Sequence, residues 1–203
     1  DAFFEGILNE QAPVKPQNPY GRNKLAIENI LKDLYMSQPD FWKIAILRYF
    51  NPIGSHPSGK IGEAPTNETS NLFPLISQVA AGKRKKLNIY GNDWPTHDGT
   101  GMRDFIHVMD LAEAHLASLK YIDNAKPDIF TFNIGTGTGT TVLELIRIFE
   151  KVNKCVIPFE FTKRRKGDVS SSVANISFAL KLLDWCPNRS IEDACLDGWK
   201  WQK

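Results

Sequence analysis

The stretch Asn18-Pro19-Tyr20-Gly21-Arg22-Asn23-Lys24 constrains this chain more than any other. Asn18 is a residue type that caps helices, Pro19 suits a first turn, and Ile27, Ile30, Leu31 and Leu34 then recur at the i, i+3, i+4, i+7 spacing of a buried stripe. Such a helix sets Tyr20 and Lys24 one turn apart on a shared face, where a phenol and an ammonium can meet the same ligand. The cation favours the phenolate, which makes Tyr20 a candidate proton acceptor. Taken alone, the pair is also what a half-buried tyrosine beside a solvated lysine would give.

The segments that follow alternate between strand and helix patterns, which predicts an α/β fold. Residues 1–17 read as a loop that delivers Tyr20. Lys43 to Tyr49 is a nearly continuous apolar run, expected as a parallel strand covered on both faces. At its carboxyl end the stretch Arg48 to Gly59 is too rich in Gly and Pro to continue the strand, and it is read as a candidate binding loop, because open α/β sheets take ligands there. Residues 60–70 form a polar connection. A helix with Leu72, Leu75, Ile76 and Val79 on one side follows, with Asn71 near its anion-favouring start.

Further strands are expected at Leu87–Tyr90, Arg103–Val108, Ile129–Ile134 and Val156–Phe161, and helices at about 110–120, 176–183 and 191–201, the last begun by Ser190. After Ile134 the spacing is Gly135-x-Gly137-x-Gly139, not Gly-x-Gly-x-x-Gly, and no acidic ribose partner follows at the expected distance. It is therefore read as a tight turn leading into a Thr141-x-x-Glu144 capping box, and a phosphate-binding role is set aside.

Composition narrows the function classes. A net charge of +2 does not point to nucleic acid, and the run Lys83 to Lys86 is read as cations suited to the end of a preceding helix. Three cysteines without Cys-x-x-Cys spacing suggest a reducing compartment, the cytoplasm, and four histidines without a His-x-x-x-His pair give no metal site. No apolar run has the length of a membrane span.

Five stretches taken in order resemble the UDP-galactose 4-epimerase family, also called UDP-glucose 4-epimerase, of the extended short-chain dehydrogenase/reductase superfamily. They are the Asn18–Lys24 stretch, Leu-Arg-Tyr-Phe-Asn-Pro-Ile-Gly-Ser-His-Pro-Ser-Gly at 47–59, Ile-Tyr-Gly-Asn-Asp at 89–93, Asp-Gly-Thr-Gly-Met-Arg-Asp-Phe-Ile-His-Val at 98–108 and Arg-Lys-Gly-Asp at 165–168. The resemblance runs from about Asn18 to Gln202. It implies the carboxyl-terminal part of a Rossmann-type parallel sheet plus a smaller α/β substrate-binding domain. Residues 1–52 would end the NAD-binding domain, and 53–203 would mainly bind the UDP-sugar, with about 104–120 returning to the first domain.

The same resemblance implies the roles. Tyr20 takes the proton of the sugar 4-hydroxyl with NAD as hydride acceptor, Lys24 holds the nicotinamide ribose, and Tyr49 and Phe50 line the cofactor and sugar site. Asn51, Asn71 and Leu72 contact substrate, Asn88, Ile89 and Tyr90 flank the uracil, Arg103 and Arg165 clamp the diphosphate, and Asp168 accepts from the ribose. Ser172 stands where some family members carry a bulky residue, so room for an acetamido sugar is expected. The partner is a UDP-hexose and the full-length protein a homodimer built on the Tyr20 helix, with neither nucleic acid nor membrane involved. Because the chain begins at Asp1 and reaches its strongest motif at Tyr20, the amino-terminal NAD-binding half is expected to be missing, leaving an inactive fragment with an unpaired sheet edge. The alternatives are a sugar-nucleotide dehydratase or decarboxylase, and a non-catalytic UDP-binding module.

Overall fold

A computed structural model describes residues 6–16, 18–65 and 69–203. In chain order the elements are β1 (Gly6–Leu8), α1 (Pro19–Ser37), β2 (Lys43–Tyr49), β3 (Asn51–Ile53), α2 (Leu72–Ala80), β4 (Leu87–Tyr90), β5 (Met102–Arg103) and β6 (Phe105–His107). Then follow α3 (Val108–Asn124), β7 (Asp128–Ile134), β8 (Thr140–Thr141), α4 (Val142–Asn153), β9 (Phe159–Thr162), β10 (Ser171–Ala174), α5 (Ser177–Leu182) and α6 (Ile191–Gln202). Strands pair in parallel, β1 on β10, β10 on β5, β2 on β7, β3 on β6 and β4 on β9, with one antiparallel contact between β5 and β8. Parallel neighbours require long crossovers, most of which carry a helix here, giving a Rossmann-like α/β fold.

Local signals place the helices. Asn18 caps α1, its side-chain oxygen accepting from the Gly21 amide at 2.8 Å, with Pro19 in the first turn. Thr141 and Glu144 close a capping box on α4, and Ser190 and Asp193 do the same on α6. The stripe on α1, however, is not buried. The helix contains no buried residue, and Ile27, Ile30 and Leu34 are 49%, 63% and 36% exposed. Hydrophobic spacing marks a face that needs a cover, and among the described residues only Leu31 of this stripe is half-covered.

Two apolar cores result among the described residues. One joins Ile106, Leu111, Ala114, Phe132, Ile134 and Trp185 beneath β2 and β7. The other gathers Ile53, Phe73, Ile76, Leu87, Ile89 and Phe149 with α6. Of the two faces of β2, Ile44 and Ile46 are buried while Ala45 and Leu47 are only half-buried, so its cover is less complete than its apolar run suggested.

Several strands depart from expectation. Part of the expected loop before Tyr20 forms β1, which pairs Gly6 with Ser172 across β10; residues 1–5 and 17 lie outside the described residues. The stretch after Tyr49 resumes as β3, tolerating Pro52 because, among the described residues, β3 pairs with β6 alone. β10 was not expected at all, since Ser171-Ser172-Val173-Ala174 lacks an apolar run. The single strand expected at 103–108 divides at Asp104, whose amide donates to Ser172 at 3.0 Å while its carbonyl accepts from Asn51 at 3.0 Å. The chain changes partners there, from β10 to β3. Residues 66–68 of the polar connection lie outside the described residues.

The Gly-rich turn after β7 is tight, as expected, and an anion already fills it. The fully buried Asp104 carboxylate accepts from the Thr136 amide at 2.8 Å, the Thr136 hydroxyl at 2.7 Å, the Gly137 amide at 2.9 Å and the Ala174 amide at 3.1 Å. A Cβ at Gly135 would lie 2.5 Å from that carboxylate and 2.8 Å from Ala174, so glycine is required by close approach. This occupant also explains why Arg103 and Asp104, though adjacent, do not form a surface ion pair.

Candidate active site

The first group of expected residues meets in one place. Tyr20, Lys24, Tyr49, Phe50, Asn51 and Ser172 border an open cleft of about 600 Å³ between α1, the carboxyl end of β2 and β10. Tyr20 is 71% exposed, with the Lys24 ammonium 5.2 Å from its ring centre, as the shared helix face requires. Tyr49 leans on His115 of α3, ring centres 5.9 Å apart. The Phe50 amide donates to Ile134 at 3.0 Å, which holds the β2–β3 junction on the end of β7.

A bidentate ion pair fixes α1 over β2. Arg48 donates to the Glu28 carboxylate at 2.8 and 2.6 Å and to the Glu10 carbonyl at 2.9 Å. The Glu28 hydrogen bond, outweighing burial, holds the guanidinium above its ordinary range. Beside it, Asn133 donates from its side chain to the Leu8 carbonyl at 2.9 Å and from its amide to the Glu10 carboxylate at 2.9 Å. None of Glu10, Glu28 or Asn133 was singled out from the sequence. Arg48 offered the one readable signal, because a charged residue in an otherwise apolar strand needs a partner.

A second group forms at the ends of β4, β5 and β10. The Arg165 guanidinium lies 4.5 Å from the centre of the Tyr90 ring, and its Nε donates to Asp168 at 3.2 Å. Arg103 is partly buried, its Nη1 donating to the carbonyls of Met102 at 2.7 Å and Val169 at 3.0 Å. Burial lowers the Arg103 pKa, which Asp168 opposes and Arg165 reinforces. Such a partly dehydrated cation favours an anion. Within the basic run Lys163–Lys166, Arg164 pairs with Asp93 as Arg165 pairs with Asp168.

β10 connects the groups, since Ser172 lies in register with Arg103 on one side and Gly6 on the other. Other expected residues sit apart from the cleft. Asn88 is exposed on β4, but Ile89 is 2% exposed and its side chain belongs to the core, because alternation along a strand turns neighbours to opposite faces. Leu72 is likewise partly buried against that core. Asn71 precedes α2 without capping it, its side-chain amide lying 3.5 Å from Glu63. Among the described residues no group of three or more His, Cys, Asp or Glu could hold a metal, and no helix is long and apolar enough to cross a membrane.

Known proteins share this fold. The profile of the NAD dependent epimerase/dehydratase family matches residues 4–135. A UDP-glucose 4-epimerase from Bacillus subtilis is 46% identical over 195 residues, covering 96% of this chain and 57% of that protein. The UDP-glucose-4-epimerase of Stenotrophomonas maltophila, solved with bound NAD and formylated UDP-arabinopyranose, superposes with a TM-score of 0.92 at 46% identity, covering 96% of this chain and 57% of that one. The Bifidobacterium longum enzyme, in complex with NAD+ and UDP, gives 0.91 at 42% identity, covering 97% of this chain and 58% of that one. The chain thus spans little more than half the length of these relatives. By its profile match and its parallel α/β fold, the chain belongs to the NAD dependent epimerase/dehydratase family.

Proposed function

We propose that this chain is the UDP-sugar-binding portion of a UDP-glucose 4-epimerase, whose whole protein interconverts UDP-glucose and UDP-galactose with NAD. The observation that carries the reading is β10, which joins the Tyr20–Lys24 cleft through Ser172 to the partly buried Arg103. A proton-transfer pair and an anion site then lie along one strand ladder, as a sugar linked to a diphosphate requires. The open cleft with an exposed phenol and ammonium fits the nicotinamide end of NAD, which when bound supplies a two-electron acceptor at the sugar's C4.

In this mechanism Tyr20 takes the proton from the 4-hydroxyl and later returns it. Lys24 holds the nicotinamide ribose and sets a positive charge beside the Tyr20 ring. Arg103 and Arg165 clamp the diphosphate, where planar guanidinium groups make paired charge-assisted bonds, Asp168 accepts from the ribose, and Tyr90 stacks on the uracil with Asn88 beside it. Asn51 at the cleft and Asn71 before α2 supply amide donors. With binding concentrated on UDP, the hexose is held loosely enough for its 4-keto form to turn over and be reduced on its other face. The two apolar cores support a division into a cofactor-side and a substrate-side unit, and the uncovered Ile27–Ile30–Leu34 stripe supports a homodimer of the whole protein through α1.

On this reading the 203 residues by themselves bind UDP, bind no NAD and turn over no UDP-sugar. Calorimetric titration with UDP and then with NAD, followed by a turnover assay with both, tests this. Turnover would refute the inactivity, and failure to bind UDP would refute the substrate assignment for this chain.

Ser172 bears on substrate range. It is half-buried and small at the cleft edge, leaving space for an acetamido group, so the full-length enzyme is expected to interconvert UDP-GlcNAc and UDP-GalNAc as well. In an enzyme carrying these residues, Ser172→Tyr should reduce acetamido-sugar turnover by about tenfold or more, a clash of over 1.4 kcal/mol, and spare the plain hexoses. Equal loss on both substrate classes, or on neither, would count against it.

A further inference from the structure

Tyr90 and Asp168 are the side chains that the proposed function gives to the base and the ribose, and a single guanidinium engages both. Arg165 lies 4.5 Å from the Tyr90 ring centre, and its Nε donates to Asp168 at 3.2 Å. A base that stacks on the Arg165 side of Tyr90 must displace this arginine from the ring, and a ribose hydroxyl on Asp168 competes with it for the carboxylate.

The neighbouring cations are held differently. Arg164 also stacks on an aromatic ring, 3.9 Å from the centre of Trp94, but it is tied down by bonds to the Asp93 carboxylate at 2.7 Å and the Asp93 carbonyl at 2.6 Å. Arg103 is held by two backbone carbonyls. The Arg165 side chain is 47% exposed and has an ion pair with a residue three positions on. Exposed ion pairs and exposed cation–π contacts are both weak, and Arg164 and Arg103 add bonds to backbone carbonyls, so Arg165 is the cation of the three that a ligand moves most readily.

We propose that Arg165 sets the selectivity of this site for a nucleoside diphosphate over the free nucleoside, by covering Tyr90 and Asp168 until a diphosphate draws it away. This rests on the reading that Tyr90 and Asp168 receive the nucleoside. UDP offers the displaced guanidinium a stronger, doubly hydrogen-bonded partner. Uridine offers it none, so uridine competes with Arg165 uncompensated. One side chain therefore favours the substrate's nucleotide and disfavours its nucleoside, a discrimination that uses a repulsive as well as an attractive element.

The two roles predict opposite signs in one variant. Uridine and UDP are titrated into the 203-residue chain, its Arg165→Ala variant and its Tyr90→Ala variant, with binding followed by chemical shifts. Both side chains lie at the surface, so neither change opens the core. Arg165→Ala is expected to tighten uridine binding by about two- to fivefold and to weaken UDP by about tenfold or more. Tyr90→Ala should weaken both ligands. If Arg165→Ala leaves uridine unchanged or weaker while Tyr90→Ala weakens both, the nucleoside site stands and the covering role of Arg165 is overturned. If Tyr90→Ala moves neither ligand, the nucleoside site itself is misplaced and the proposal falls with it.

Discussion

Replacing Asp104 with alanine is expected to destabilise the fold by about 3 kcal/mol or more, because four donors aimed at one buried carboxylate lose their acceptor together. Three of them are backbone amides of the β7–β8 turn and β10, which cannot turn toward solvent without breaking the strand pairing. Asp104→Asn should cost nearly as much. It keeps the volume but sets an amide N–H₂ against N–H donors. Denaturant unfolding of the variants beside the parent chain measures this, and a midpoint shift worth less than about 1 kcal/mol would mean that the turn finds other partners. Because Asp104 also separates β5 from β6, UDP affinity should fall with stability in these variants and recover where a stabilising solute restores the fold.

The second large effect belongs to chemistry. In a full-length enzyme carrying these residues, Tyr20→Phe should lower kcat by about 10² to 10⁴, the range that a positioned acid–base group contributes, with UDP affinity unchanged. The substitution removes a single oxygen from a 71% exposed ring, so stability should barely respond. Lys24→Met, which keeps length and loses charge, should lower kcat and also weaken NAD binding, since Lys24 is assigned to the nicotinamide ribose as well as to Tyr20. A Tyr20→Phe enzyme retaining more than a tenth of its turnover would remove Tyr20 from the proposed mechanism.

Much of the cleft was legible because its signals are local. The Asn18 cap, the Tyr20–Lys24 spacing and the β2 run all act within a few residues of themselves, and the structure places them accordingly. Ile89 shows where such reading stops. A motif names three neighbours, but a strand turns the middle one inward, so Asn88 and Tyr90 are exposed while Ile89 enters the core.

The sequence by itself determined where helices begin, which residues share a face and that this chain is α/β, since capping geometry and side-chain period are properties of adjacent residues. Tertiary structure alone decided the rest. It made Asp104 the anion of the Gly135–Gly139 turn through partners 32, 33 and 70 residues away, and it made Ser171–Ala174 a strand despite its weak pattern. It also left Ile27, Ile30 and Leu34 of the α1 stripe exposed among the described residues. A hydrogen-bond donor or an apolar face announces a need in the sequence, but which distant group meets that need is settled only when the chain brings the two together.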